Sequence, residues 1–180
     1  MKEFFKVLYT KSAKDYCIKL SKYLDNRTRK FIVTANPETF MMAKTDDIMR
    51  DILLDSDNDI IPDGIAVVKS AGFYGNRPVE RITGVDTAAT LLELLNNKKK
   101  TLYLFGSKRE VLDALVEKIN REYPCIKILG AVDGYVEDKD AVFEKIVEAS
   151  PDVCLVALGI PEQEKLIAKH IDKAQKGIYM

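Results

Sequence analysis

The 180-residue chain carries a single histidine, His170, and only three cysteines, Cys17, Cys125 and Cys154. One histidine argues against Ser-His-Asp or Cys-His catalysis, which needs an imidazole beside the nucleophile. His170 stands among Lys165, Lys169 and Lys173 and reads as part of a solvated helix face. The cysteines have no metal-ligand spacing and form no disulfide framework. Cys125 and Cys154 lie in apolar surroundings and read as small buried hydrophobes. Neither charge is in excess: 28 Lys plus Arg balance 28 Asp plus Glu, so net charge gives no argument for nucleic acid as a partner. No apolar run approaches the ~18 residues of a membrane span. The start, Met1-Lys2-Glu3-Phe4-Phe5, lacks the apolar core of a signal peptide. The expected location is cytoplasmic, or on a membrane surface without crossing it. A Walker P-loop and a Gly-x-Gly-x-x-Gly fingerprint are both missing, which weakens the case for ATPase or dehydrogenase chemistry.

What is present is an ordinary globular balance, 47% hydrophobic and 31% charged. A chain of this length forms one domain with a core that needs no disulfide or metal. Short apolar runs alternate with helical periods, which implies a Rossmann-like α/β domain of mostly parallel strands with helices on both faces. Strands are expected at 31–35, 59–61, 101–105, 126–131 and 153–158, and 177–180 reads as a strand just begun. Asn36 is a good helix N-cap, with Pro37 at the first helical position. Further helices are expected from Thr45-Asp46, over 65–71, after Thr83-Gly84, and around Val111, Val142 and Leu166.

Ligands of open parallel sheets bind beyond the carboxyl ends of the strands. Four turns fall there: Thr34-Ala35-Asn36, Pro62-Asp63-Gly64, Gly106-Ser107 and Gly159-Ile160-Pro161-Glu162-Gln163. Helix N-termini at such turns suit a diphosphate. Each turn also has a plainer explanation. Gly106 and Gly159 fit a packing need, Asp63 a helix cap, Arg81 a surface charge, and Gln163 and Glu164 the dipole of a first turn.

Taken in order, five blocks resemble the WecG/TagA/CpsF glycosyltransferase family. They are Thr34-Ala35-Asn36-Pro37-Glu38, Pro62-Asp63-Gly64, Glu80-Arg81-Ile82-Thr83-Gly84-Val85-Asp86, Asp133-Gly134-Tyr135, and Gly159-Ile160-Pro161-Glu162-Gln163-Glu164. The resemblance implies an inverting transferase that moves a sugar, N-acetylmannosamine in the branch it favours, from a UDP donor to undecaprenyl-diphosphate-linked N-acetylglucosamine in wall teichoic acid synthesis. It makes Asp63 the base. Thr34, Asn36, Gly64, Arg81, Thr83, Gly84, Asp86, Gly106, Asp133, Gly134, Tyr135, Gly159, Pro161, Gln163 and Glu164 become donor- or acceptor-binding candidates, with Arg81 and helix N-termini on the diphosphate. No Asp-x-Asp metal motif enters this reading, so catalysis without metal or other cofactor is expected. Members of the family usually continue into a basic C-terminal appendage that docks on the membrane, so the chain reads as truncated before it and peripheral at the inner face. A second copy of the chain stays open as a partner. The alternatives are another UDP-sugar donor, a noncatalytic UDP-sugar-binding module, or an oxidoreductase on a similar sheet.

Overall fold

Every apolar run that reads as a strand is one in the computed structural model, which describes residues 2–180. The chain order is α1 (Lys2–Lys6), α2 (Ala13–Asp25), β1 (Arg29–Ala35), α3 (Pro37–Met42), α4 (Asp47–Leu54), β2 (Asp59–Pro62), α5 (Ile65–Phe73) and α6 (Gly84–Lys98). It continues with β3 (Thr101–Gly106), α7 (Arg109–Glu122), β4 (Lys127–Val132), α8 (Lys139–Ala149), β5 (Val153–Ala157), α9 (Glu162–His170) and β6 (Gly177–Tyr179). The strands form one sheet in the order β2-β1-β6-β5-β3-β4, with every pairing parallel.

Strand side chains alternate across the sheet, and both faces are buried. Phe31, Val33 and Ala35 of β1 join Phe105, Cys154, Val156 and Tyr179 in one core. Ile32, from the same strand, joins Leu102, Leu104, Val153 and Ile178 in the other. This two-sided burial explains why the strands read as unbroken apolar runs rather than alternating ones. The short run 177–179 is a central strand, hydrogen-bonded between β1 and β5.

Caps fix where the helices begin. The Asn36 carboxamide oxygen accepts from Thr39 N at 2.9 Å at the start of α3. Asp46 accepts from Met49 N at 3.2 Å before α4. The helix expected over 65–71 runs two residues further, through Phe73.

Three features depart from the sequence reading. Helices α1 and α2 were not expected, although Tyr16, Leu20 and Leu24 repeat every four residues and form a buried stripe; the interleaved lysines masked it. Cys125 is exposed, because it lies in the turn between α7 and β4 rather than on a strand, while Cys154 of β5 is buried. His170 is buried, not solvated. It extends the inward line of Leu166 and Ile167 on α9, stacks on Phe143, and its Nε2 lies 2.5 Å from Asp140 Oδ1.

At the amino ends of the strands Asp152 ties three segments together. Its carboxylate accepts from the Thr101 N–H and hydroxyl and from Lys176 Nζ, all at 2.7–2.9 Å. Burial pushes this carboxyl up, but the hydrogen bonds from Lys176 and Thr101 outweigh it and hold it below the usual Asp range. A depressed folded-state value gives stability that is fully present above the unfolded pKa of ~3.9 and lost as pH falls through the folded one. Asp152→Asn should therefore lower the denaturation midpoint at neutral pH and narrow its gap to the parent chain below about pH 4. A gap that stays constant between pH 7 and pH 3 would contradict this assignment.

The connections diverge at the middle of the sheet. Helix α7 leads from β3 outward to β4, whereas α9 leads from β5 the other way, to β6. The crevice between the carboxyl ends of β3 and β5 is thus the switch point at which such sheets bind ligands.

Candidate active site

Two groups of the expected residues gather at the carboxyl edge of the sheet, one on each side of β6. The first surrounds Asp63, just beyond β2. Its backbone N–H continues the sheet pairing by donating to Ala35 O at 3.0 Å. Its side chain does not cap α5, whose N-cap is Gly64 with no side-chain hydrogen bond. Instead Asp63 Oδ2 accepts from Gly84 N, the first residue of α6, at 3.3 Å. Arg81 holds the other side, with Nη2 3.3 Å from Asp63 Oδ1 and Nε donating to the Asp63 carbonyl. The Asp63 side chain remains 26% exposed and that of Arg81 50%. A carboxylate is thus oriented by two donors and still open to solvent.

The neighbouring residues explain the tight fit. A Cβ on Gly84 would stand 2.9 Å from Thr34 Cγ2, so only glycine lets α6 begin against β1. A Cβ on Gly64 would press on Pro37 at 3.1 Å. Thr34 and Gly64 therefore pack closely around the Asp63 turn. Asn36 spends its side-chain oxygen on the α3 cap. Thr83 and Asp86 engage each other: the threonine hydroxyl donates to Asp86 Oδ2 at 2.6 Å and accepts from Asp86 N at 3.0 Å. These two form the start of α6 and position Gly84. Met180, which follows β6, stands 3.7 Å from the Gly84 Cβ position and accepts from Val156 N of β5, linking the two groups.

The second group sits at the switch point. A cavity of about 580 Å³ opens there, lined by Ser107, Lys108, Gly134, Tyr135, Lys139 and Glu162 among others. Gly106 ends β3 at φ +121°, a conformation L side chains rarely adopt, and its Cβ would stand 2.3 Å from Ala157 O. Next to it Ser107 N donates to that same carbonyl at 2.8 Å, and Ser107 O accepts from Gly134 N at 2.9 Å. Asp133 accepts from Tyr135 N at 3.0 Å in the turn that exposes the Tyr135 ring. Lys139 pairs with Glu162 at 2.6 Å across the cavity. Helix α7 starts here with Lys108 at its N-cap and no side-chain cap, which leaves first-turn N–H groups without a side-chain acceptor.

The segment after β5 is ordered by its own side chains. Gly159 N donates to Gln163 Oε1 at 3.2 Å, and Gln163 Nε2 donates to Glu164 Oε1 at 3.1 Å. Pro161 precedes α9. Glu164 is 1% exposed, burial pushes its carboxyl up, and its Oε2 has no hydrogen-bond partner. It stands one turn before the buried Ile167, on the inward side of α9.

Sequence reasoning missed Lys108 and Lys139 and placed Glu162 in a candidate turn without giving it a role; these three supply charge to the cavity. Lys108 had a signal, since it follows directly on the Gly106-Ser107 turn; Lys139 had none, because only the fold brings α8 to α9. It also overlooked three segments with Asp-x-Asp spacing: Asp55-Ser56-Asp57, Asp57-Asn58-Asp59 and Asp138-Lys139-Asp140. Asp59 binds Lys19, Tyr16 and Tyr23 at the far end of β2, Asp138 caps α8, and Asp140 holds Lys169 and His170. Among the described residues no group of three or more His, Cys, Asp or Glu stands where it could hold a metal ion.

Comparison with known proteins gives the family of the chain. The model of the glycosyl transferase WecG/TagA/CpsF family matches residues 3–180. An N-acetylglucosaminyldiphosphoundecaprenol N-acetyl-beta-D-mannosaminyltransferase of Bacillus subtilis (strain 168) is 45% identical over 145 residues, 81% of this chain and 56% of the relative. One of the same description from Bacillus spizizenii is 39% identical over 148 residues, 82% of this chain and 57% of the relative. The chain thus spans little more than half the length of these curated relatives. A match over nearly every residue places the chain in the WecG/TagA/CpsF family of glycosyltransferases.

Proposed function

We propose that the chain is the catalytic part of an inverting transferase that moves N-acetylmannosamine from UDP-N-acetylmannosamine to undecaprenyl-diphosphate-linked N-acetylglucosamine, a step of wall teichoic acid assembly. The observation that carries this reading is the Asp63 carboxylate, oriented by Arg81 and Gly84 N and open at the same sheet edge as the switch-point cavity. The reaction is one displacement. The acceptor hydroxyl attacks the anomeric carbon, the bond from that carbon to the β-phosphate oxygen breaks, and UDP leaves with the electron pair. A hydroxyl is a weak nucleophile, so its proton passes to Asp63 as the new bond forms.

The departing diphosphate gains negative charge that fixed donors must meet. The uncapped first turn of α7 with Ser107 and Lys108 fits this need, and the half-exposed Arg81 adds charge from the Asp63 side. Tyr135 offers an exposed ring to the base of the nucleotide. The metal is dispensable in this scheme. The protein would act as a peripheral enzyme on the inner face of the cell membrane, where its lipid-linked acceptor lies.

Titration with UDP tests the donor site. Lys108→Ala should weaken UDP binding by about tenfold, the loss expected of one charge-assisted contact, and excess chelator should leave binding and transfer unchanged. Unaltered affinity in Lys108→Ala would move the diphosphate elsewhere, and a chelator-sensitive rate would refute metal-free catalysis.

A further inference from the structure

Among the described residues that line the switch-point cavity there is one acid, Glu162, beside two lysines, Lys108 and Lys139. The acid is bound to one of the lysines. Lys139 Nζ donates to Glu162 Oε1 at 2.6 Å, which joins the first residue of α8 to the first residue of α9. Helix dipoles favour an acid at a first residue and disfavour a cation, so helix stability accounts for Glu162 but not for Lys139. Lys108, at the N-cap of α7, stands in the same unfavourable place and is exposed. The cavity thus holds two cations, one open and one already neutralised by a carboxylate.

The ion pair is also a wall. Both residues line a second cavity of about 440 Å³ between α8 and α9, where Lys165 and Lys169 add two further cations. Lys165 follows Glu162 by three residues and is its neighbour on the helix surface. Lys165 holds Asp46, and Lys169 holds Asp140 at 2.8 Å. A Glu162 carboxylate that turns out of the first cavity therefore meets positive charge in the second. Neither partner is locked in place, since the Lys139 side chain is 27% exposed and that of Glu162 49%. An ion pair this open is worth only roughly threefold in an equilibrium, whereas contact between a lysine and a phosphate is a stronger, charge-assisted bond.

We propose a counterion exchange: the diphosphate of the nucleotide takes Lys139 from Glu162, and the released carboxylate turns toward Lys165, opening the wall between the cavities. Lys139 is then a second diphosphate ligand beside Lys108, and Glu162 sets how tightly the site holds an anion. The exchange rests on the proposed donor site at this cavity.

Titration with UDP, and with uridine, which lacks the phosphates, tests it. Glu162→Gln should tighten UDP binding about threefold. Lys139→Met should weaken it about threefold in the parent but about tenfold in Glu162→Gln, where no carboxylate competes for the lysine. Glu162→Gln made in Lys139→Met should give no gain. Uridine affinity and thermal unfolding should stay the same throughout. Glu137→Gln, which removes an exposed acid outside the cavity lining, should change nothing. Equal tightening by Glu162→Gln with and without Lys139 would overturn the exchange, because Glu162 would then only repel the anion. An equal response to Glu137→Gln would overturn it too, by showing a long-range effect of charge. UDP binding that weakens in Lys108→Ala but ignores Glu162→Gln would remove the exchange and leave the donor site standing. No UDP binding by the parent would remove both. The expected coupling in a protein that transfers no sugar would support the exchange and count against the proposed transfer alone.

Discussion

Asp63→Asn should lower turnover by ~10²-fold or more while leaving UDP affinity unchanged, because it removes the base and little else. The substitution is isosteric. The single amide oxygen can accept from Gly84 N or from Arg81 Nη2 but not from both, while Arg81 Nε still donates to the backbone carbonyl of residue 63 and holds the turn. What it loses is affinity for a proton in the transition state. The UDP contacts proposed here lie mainly across β6, at Ser107 and Lys108, and do not depend on the Asp63 charge. Measured kcat should therefore collapse with the UDP dissociation constant unmoved. Near-normal turnover would remove Asp63 from the role, and a parallel loss of UDP binding would make it a binding residue instead.

Gly106→Ala should cost more than about 4 kcal/mol of stability, an exceptional value for a single methyl. Two causes add. The residue sits at φ +121°, and its new Cβ would meet the Ala157 carbonyl oxygen at 2.3 Å, with the carbonyl carbon and amide nitrogen also within 2.8 Å. All three are backbone atoms of the neighbouring central strand, so relief requires β3 and β5 to part. Gly75→Ala is the matched control. It has φ +79° but nothing within 4 Å of the added carbon, so it carries only the conformational penalty of roughly 1 kcal/mol. Denaturant midpoints separate the two, and equal losses would show that the close approach of β3 and β5 is not what constrains Gly106.

The strands were legible because both faces of the sheet are buried, which turns each strand into an apolar run such as Val153–Ala157. The Asn36-Pro37 cap was legible because its chemistry is local. The α2 stripe was present in the sequence but diluted by Lys14, Lys19 and Lys22. His170 misled because its nearest sequence neighbours are lysines, whereas its burial comes from Phe143 and Asp140 on another helix. The site divides in the same way. Asp63 and Arg81 stand in recognisable blocks, but their pairing across 18 residues depends on how the loop before α6 returns to β2, where Ile82 N donates to Pro62 O. Lys139 enters the cavity only because α8 packs beside α9. Thr83, Asp86 and Asn36, grouped with ligand-binding residues by resemblance, hydrogen-bond to each other or to a helix end, which places Gly84 and the α3 turn.

The most direct test is transfer of labelled N-acetylmannosamine from its UDP donor to a short-chain lipid-diphosphate-N-acetylglucosamine, by the parent protein beside Asp63→Asn. Product with an inverted anomeric linkage from the parent alone is the expected result. No product from this or any other UDP-sugar, despite tight UDP binding, would contradict the account and leave a nucleotide-sugar-binding module in its place.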